Sequence, residues 1–383
     1  MKVIEVITDT NIGGAGVLLV NRLRHTDHIK NKTWVLIPRG SALISRLKGI
    51  SVEVIEMDCS YDCSFEVSAI LNYVRVIRKI RPDVINCHGA LSARIAALLC
   101  RVPIKICTRH CVFPVKKEGS IGVRIKGYIN SRLSDAFIAV AFAARQNLLE
   151  LGVDKDKIAV IINGAERLRL ISSTDKAALR KKLGVLNGET VLVLNARLEP
   201  YKGHLWFFEA VRQLVDDNFQ IKVLLLGDGS ERTRLESLCV GYGIDKHVIF
   251  MGFVDDVAPF MNIADININC STGTETSSLA LSEGMSIGLP AVASDFGGNP
   301  YMIRHGENGF VCKCYAHSEL AKYIKLLIND KELYSKMSLA ARRRFEIELN
   351  AVNMAEKTTA LYDSLYKSYQ KYGRTPKQIF NQV

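Results

Sequence analysis

The pattern that most restricts this chain is a short apolar run followed by a helix-like stretch, repeated along almost its whole length. Val3–Thr8, Thr33–Pro38, Val52–Met57, Asp83–His88, Ile104–Thr108, Ala136–Val140 and Ile158–Ile162 read as buried strands, most of them separated by helical spacing. The first is followed by the glycine loop Gly13–Gly14–Ala15–Gly16 and by a helix from about Val17 to Leu23. Strands alternating with helices imply a parallel sheet covered on both faces.

The pattern restarts after Asn163–Gly164. Strands are expected at Val191–Asn195, Lys222–Leu226, Val248–Phe250, Ile266–Cys270 and Ala291–Ser294, with helices from about Gly203 to Asp216 and from about Ser278 to Ile287. The stretch Ser172–Lys182 is polar and charged, and Leu186–Asn187–Gly188–Glu189 reads as a turn, so the junction is expected near 165–188. Glu319–Tyr372 is helical in pattern almost throughout, with no glycine before Gly373. The expectation is an α/β fold of two Rossmann-like doubly wound domains, 1–165 and 188–360, facing a central cleft. A helix at about 360–383 is expected to pack back on the first domain. Ligands of such domains sit at the carboxyl ends of the strands, so chemistry is sought in the residues that follow each strand.

Composition narrows the class. A length of 383 residues allows two or three cores, and 48% hydrophobic with 23% charged residues excludes disorder, a collagen-like chain and a coiled coil. No apolar run approaches the ~18 residues of a membrane span. Glu5 interrupts what would be a signal-peptide core, which predicts a cytoplasmic protein with reduced cysteines. Cys59/Cys63, Cys107/Cys111 and Cys312/Cys314 lack the second ligand pair of a zinc site, so no metal is expected. Basic residues concentrate at the start: residues 1–150 hold 22 Lys/Arg against 12 Asp/Glu, whereas residues 151–300 hold 15 against 19. Within Arg101–Ser134 lie Arg101, Lys105, Arg109, Lys116, Lys117, Arg124, Lys126 and Arg132 with a single acid, Glu118. With Lys367, Lys371, Arg374 and Lys377 of the tail, this segment suits an anionic membrane surface or a phosphate-bearing acceptor. No recognition motif points to nucleic acid.

Three segments of the second half suit a nucleotide diphosphate. In Asn195–Ala196–Arg197–Leu198–Glu199–Pro200–Tyr201–Lys202–Gly203, Arg197 and Lys202 flank a turn stiffened by proline, and arginine can hold phosphate bidentately. In Glu275–Thr276–Ser277–Ser278–Leu279, the hydroxyl residues can cap the following helix, whose first N–H groups attract anions. Glu283 then falls on an apolar helical stretch, where a carboxylate needs a partner such as a ribose hydroxyl. In Ser294–Asp295–Phe296–Gly297–Gly298, paired glycines let backbone approach a ligand. Residues 251–300 contain no Lys or Arg, so Arg197, Lys202 and helix N-termini must neutralise a diphosphate there.

These residues carry a resemblance. Glu275 and Glu283, seven residues between them, preceded by Arg197, Lys202 and Gly203 and followed by Gly288–Leu289–Pro290 through Gly297–Gly298, resemble the retaining GT-B glycosyltransferases of family four, the group 1 type. The Gly13–Gly14 loop, Ile162–Asn163–Gly164, Gly227–Asp228–Gly229, Gly252–Phe253–Val254 and Gly306–Glu307–Asn308–Gly309–Phe310 stand in the family's order. The resemblance implies a nucleotide-sugar donor, UDP favoured over GDP, bound by the C-terminal domain. It implies a lipid-linked or glycan acceptor on the N-terminal domain, and transfer with retention, without metal, in surface polysaccharide or glycolipid assembly. By the same resemblance Arg197 and Lys202 hold the diphosphate, Glu283 the ribose and Glu275 the donor sugar. Gly14 lets the N-terminal loop close on the phosphate, with Gly13 beside it, and Val254 meets the base. Thr276, Ser277, Ser278 and Leu279 complete the donor pocket. His110 is the preferred histidine beside the sugar, and His88 a pocket residue. The chain departs from the family at Thr276–Ser277–Ser278, where Gly-Phe-Gly is common, at Gly284 in place of alanine, and at Tyr301 near a missing glutamate. Two alternatives stand beside this reading. One is a nucleotide-sugar epimerase on the same fold. The other, an NAD-dependent oxidoreductase, is encouraged by the glycine clusters but lacks a GxGxxG fingerprint.

Overall fold

The computed structural model describes residues 1–8, 13–60, 63–112 and 121–375. Lys116, Lys117, Glu118 and Lys377, used in the charge argument, lie outside the described residues. The chain divides into two compact units, Met1–Gly164 with Ala351–Val383, and Ala165–Asn350.

The first unit carries strands β1 (Lys2–Ile7), β2 (Lys32–Pro38), β3 (Glu53–Met57), β4 (Val84–His88), β5 (Ile104–Arg109), β6 (Ala136–Ala139) and β7 (Ile158–Val160). They form one sheet in the order β3-β2-β1-β4-β5-β6-β7, every pair parallel. The near-continuous Val/Ile/Leu runs of β1 and β2 are those of strands covered on both faces. On one side the helix Val67–Ile80 buries Ala69, Tyr73 and Ile77, one stripe at four-residue spacing. The helix Ala351–Tyr372 belongs to this unit and buries Met354, Thr358, Leu361, Tyr362 and Leu365.

The second unit carries β8 (Thr190–Asn195), β9 (Ile221–Leu226), β10 (Val248–Gly252), β11 (Ile266–Asn269), β12 (Ala291–Ser294) and β13 (Gly309–Cys312), all parallel in the order β10-β9-β8-β11-β12-β13. The helix His204–Asp216 drives Trp206, Phe207 and Phe208 into the core, where Trp206 Nε1 donates to the Cys270 carbonyl at 3.1 Å. Both sheets reverse their strand order beside their first strand, between β1 and β4 and between β8 and β11. Such points open a crevice at the strand ends.

Three stretches differ from the sequence reading. The expected junction 165–188 forms the helix Ser173–Lys182, capped by Ser172 Oγ, and Leu168, Ile171, Leu179, Leu183 and Val185 pack with Val191, Val193, Leu224 and Leu226. Few of its residues are apolar because only one edge of the segment faces that core. Strand β13 was not expected: it is four residues long and follows a Gly-Glu-Asn-Gly turn. The C-terminal helical run is three α-helices, His317–Asn329, Lys331–Arg344 and Ala351–Tyr372, with a π-helical turn, Phe345–Leu349, between the last two. Asp330 separates the first two by capping the second, its carboxylate accepting from the Leu333 N–H at 2.9 Å. All ten cysteines are free.

Candidate active site

In the second unit the polar residues gather at the carboxyl ends of β8 and β11. β8 ends at Asn195, and the chain then makes a short turn, Pro200–Lys202, before the helix at His204. Gly203 stands at φ 74°, and a Cβ there would lie 2.0 Å from the Cys270 carbonyl oxygen. Only glycine permits that approach, which presses the Lys202 turn against the end of β11. Lys202 Nζ consequently reaches Glu275 Oε2 at 2.8 Å, and Ser271 Oγ donates to the same oxygen at 2.9 Å. Glu275 is buried, and its neighbour Thr274 holds φ 54°, a left-handed conformation unusual outside glycine.

The paired glycines back this loop. A Cβ on Gly297 would sit 1.8 Å from the Glu275 carbonyl oxygen, and one on Gly298 1.7 Å from that of Thr276. Ser278 caps the helix Leu279–Ser286, accepting from the Leu281 N–H at 3.3 Å and from Asn269 Nδ2 at 3.0 Å. Thr276 is buried, Ser277 Oγ lies 3.8 Å from Met302 Sδ, and Leu279 opens the helix with its N-terminal N–H groups. Glu283 is half-buried on that helix, its Oε2 3.5 Å from Asn195 Nδ2, and burial pushes its pKa up to about 7. Arg197 is exposed and donates to Tyr201 Oη at 2.7 Å. His204 is buried, and burial, aided by Lys202, lowers its pKa to about 4, so it adds no positive charge. Val254 is partly buried against the cluster around Val191 and Leu224, beside exposed Phe253 and Gly252 at φ 70°.

This unit thus sets an exposed guanidinium, an ammonium and a helix N-terminus beside two carboxylates. Cations and helix dipole suit a diphosphate, and the carboxylates suit hydroxyl groups. Gly284, where alanine was expected by resemblance, has a direct cause. A Cβ there would come 2.4 Å from Asn267 Nδ2, which donates to the Ala280 carbonyl at 2.8 Å.

The first unit holds a second polar cluster. Glu5, in the middle of β1, is fully buried and accepts from Tyr362 Oη at 3.0 Å, Asn86 Nδ2 at 3.0 Å and His88 Nε2 at 3.1 Å, and pairs with Arg22 at 2.6 Å. Burial pushes the Glu5 carboxyl up, and Arg22 with His88 more than cancels that, so it lies below the ordinary range. His88 Nδ1 lies 2.7 Å from His110 Nε2. Burial, with His88 and Arg22 nearby, holds His110 well below the usual histidine pKa. A cavity of about 30 Å³, room for about one water, is lined by Arg22, Asn86, His88, Thr108 and His110 together with Leu18 and neighbouring apolar groups. Gly13 is the N-cap of the helix Gly14–Arg24, and a Cβ on Gly14 meets nothing within 4 Å among the described residues.

The structure brings His88 and His110 side by side, and it joins Lys202 and Glu275 to Ser278 through Ser271 and Asn269. The sequence reading did not name Glu5, Arg22, Asn86 and Tyr362 among the site residues. A carboxylate inside the run Val-Ile-Glu-Val-Ile was the available signal, because a buried charge demands a partner. In the basic segment Lys105 pairs with Asp135 at 2.7 Å and Arg109 is half-buried, while Arg101 and Arg132 are exposed. Among the described residues no group of three His, Cys, Asp or Glu side chains is placed to hold a metal, and no helix is long and apolar enough to cross a membrane.

Comparison with known proteins adds the family. Residues 175–344 match the family model described as Glycosyl transferases group 1, and residues 12–167 the one described as Glycosyltransferase Family 4. The chain is 24% identical over 310 residues to the UDP-Gal:alpha-D-GlcNAc-diphosphoundecaprenol alpha-1,3-galactosyltransferase of Escherichia coli, covering 78% of this chain and 79% of that protein. It is also 24% identical over 278 residues to the N-acetyl-alpha-D-glucosaminyl L-malate synthase of Bacillus anthracis, covering 67% and 71%. Its fold is similar to that of Anabaena Alr3699/HepE, crystallised in complex with UDP and glucose, with a TM-score of 0.83, 23% identity, and coverage of 95% of this chain and 100% of that one. The two parallel-sheet units are those of an α/β GT-B fold.

Proposed function

We propose a specific reaction for this chain, which is a glycosyltransferase of the group 1 family: it moves a hexosyl group from a UDP-sugar to a lipid-linked or glycan acceptor, with retention of anomeric configuration. The observation that carries the proposal is the Lys202–Glu275 pair at 2.8 Å, next to exposed Arg197 and the N-terminus of the helix Leu279–Ser286. Arg197 and Lys202 take the donor diphosphate, and Lys202 then shares its charge between phosphate and Glu275. Glu275 is left able to accept from sugar hydroxyls, and Glu283 accepts from the ribose. His110, with His88 beside it, is the histidine this reading assigns to the donor sugar.

The bond from the anomeric carbon to the diphosphate oxygen breaks while the acceptor oxygen attacks from the same face. The acceptor's proton passes to the leaving phosphate oxygen. Negative charge grows on that phosphate in the transition state, so Arg197 and Lys202 act where stabilisation accelerates the reaction. The reading requires neither a protein nucleophile nor a metal. UDP is favoured because a relative's name specifies UDP-Gal and a structural neighbour was crystallised with UDP. The lipid-linked acceptor follows from the same relative's name, and surface polysaccharide or glycolipid assembly is its setting. Exposed Ile125, Tyr128 and Ile129 on the helix Ile121–Leu133 support a peripheral membrane contact.

Calorimetry with UDP, GDP and NAD tests the donor site. Micromolar binding of UDP, lost in Arg197→Ala, is expected; GDP in its place revises the base, and NAD alone or no binding overturns the reading. Proton NMR of the glycoside formed reads its anomeric configuration, and an inverted product removes the retaining mechanism. Cosedimentation with anionic vesicles is expected; binding that survives high salt marks the apolar contact, and a chain that stays in the supernatant at low salt overturns it.

A further inference from the structure

The histidine pair rests on a carboxylate that the reaction itself does not touch. Glu5 Oε1 takes the Arg22 guanidinium at 2.6 Å and Tyr362 Oη at 3.0 Å, and Oε2 takes Asn86 Nδ2 at 3.0 Å and His88 Nε2 at 3.1 Å. The Asn86 amide is oriented by Thr108, whose Oγ1 donates to Asn86 Oδ1 at 2.9 Å, so its NH₂ group faces Glu5. All four partners are donors, which leaves Glu5 purely an acceptor and requires the proton of His88 to be on Nε2. Arg22 already balances the charge of Glu5, so the network closes with His88 neutral and its Nδ1 an acceptor. That nitrogen lies 2.7 Å from His110 Nε2, with the two rings inclined by only 19° and their centroids 5.0 Å apart, as an in-plane N–H···N bond requires.

We propose that Glu5 and His88 are positioning residues that hold His110 in one tautomer, its proton on Nε2 and its Nδ1 the ring's acceptor. This deepens the reading above, on which His110 takes part in sugar transfer. A histidine so held meets a sugar or acceptor hydroxyl as a hydrogen-bond acceptor. The ionisable groups that face the pair are Glu5 from β1, Arg22 from the helix Gly14–Arg24 and Tyr362 from the C-terminal helix, whereas Cys87 of β4 and Cys107 of β5 alternate to the other face of the sheet and pack in separate apolar clusters. Among these only Glu5 touches His88 through a hydrogen bond or ion pair of the described residues.

Long-range proton–nitrogen spectra of the full chain labelled with 15N in its imidazoles read the tautomers directly, with His88→Gln and His110→Gln assigning the signals. Neutral rings protonated on Nε2 are expected for both at neutral pH. Glu5→Gln combined with Arg22→Met keeps the buried charge balanced. It is expected to convert His110 to a tautomer mixture and to lower kcat about tenfold or more, with the donor KM within threefold. Should that double variant not fold, His88→Phe leaves the Glu5–Arg22 pair in place and is expected to release His110 in the same way. A wild-type His110 protonated on Nδ1, or a His110 spectrum unchanged in the folded variants, overturns the proposal. The spectrum is read whether or not transfer is observed. Loss of the transfer reading with these tautomers in place therefore counts against the function proposed above and leaves the hydrogen-bond assignment standing.

Discussion

The two polar centres occupy equivalent places, the strand-order reversal of each sheet, yet their electrostatics differ. Around Glu5 every requirement of a buried carboxylate is met from within the unit, by Arg22, Tyr362, Asn86 and His88. Around Glu283 it is not: one amide at 3.5 Å is its hydrogen-bond partner, and its pKa is driven up to about 7 by burial. Arg197 likewise stands exposed with a tyrosine hydroxyl as its hydrogen-bond partner. One centre is a finished internal structure that orients a histidine; the other has capacity left over for a ligand. Equivalent topology therefore does not mean equivalent chemistry, because what a site binds depends on which groups the fold has left unsatisfied.

The contrast is most easily broken on stability. Glu5→Ala strands Arg22 in the core, and chemical denaturation is expected to show a loss of about 3–5 kcal/mol. A loss below 1 kcal/mol would mean that the first centre is not the closed network described. Arg197→Ala is expected to do the opposite: stability within ~0.5 kcal/mol of the parent and turnover reduced about a hundredfold, the scale of one lost transition-state donor. Equal effects of the two variants on stability would erase the distinction. Glu283 sharpens it through pH. Its folded pKa of about 7 lies above the unfolded value, so the protonated form is the one folding favours. Stability it confers at low pH is lost as pH rises from about 4.5 through 7. Glu283→Gln should accordingly unfold later than the parent at pH 8 and at a similar point at pH 4. UDP affinity of the parent should rise more steeply across pH 6–8 than that of the variant, in which only the second ionisation of the UDP phosphate remains. The smallest effect is expected at Gly284→Ala, about 1 kcal/mol from displacing the Asn267 amide. Adding Asn267→Ala to it separates that clash from the loss of the Asn267–Ala280 bond.

Much of this was legible in the chain because the strands of parallel sheets are long aliphatic runs, and the turns that follow them carry their own punctuation. Gly203, Gly297 and Gly298 were visible as glycines, but their reason, carbonyl oxygens within 2.0 Å of where a Cβ would be, exists only once two loops are brought together. Strand β13 was obscured by its length, and the helix Ser173–Lys182 by a composition in which one apolar edge is outnumbered by its solvent face. The partners of Glu5 were not legible for a different reason. Arg22, Asn86 and Tyr362 come from three separate stretches of sequence, and no local pattern encodes that meeting. The second unit's site was the more readable because Arg197 and Lys202 lie on one turn, and Glu275 through Glu283 on one loop and helix.

The return of the chain to its first unit at Ala351 has a bearing on how the protein is made. The Glu5–Tyr362 hydrogen bond joins residues 357 positions apart, and a ribosome adds roughly 5–20 residues each second. Glu5 therefore exists for many seconds before one of its four donors has been synthesised. All of Ala165–Asn350 is synthesised during that interval, while the unit that emerged first still waits for its last helix. Order of synthesis and order of completion are thereby reversed: the half that begins the chain is the half that finishes last.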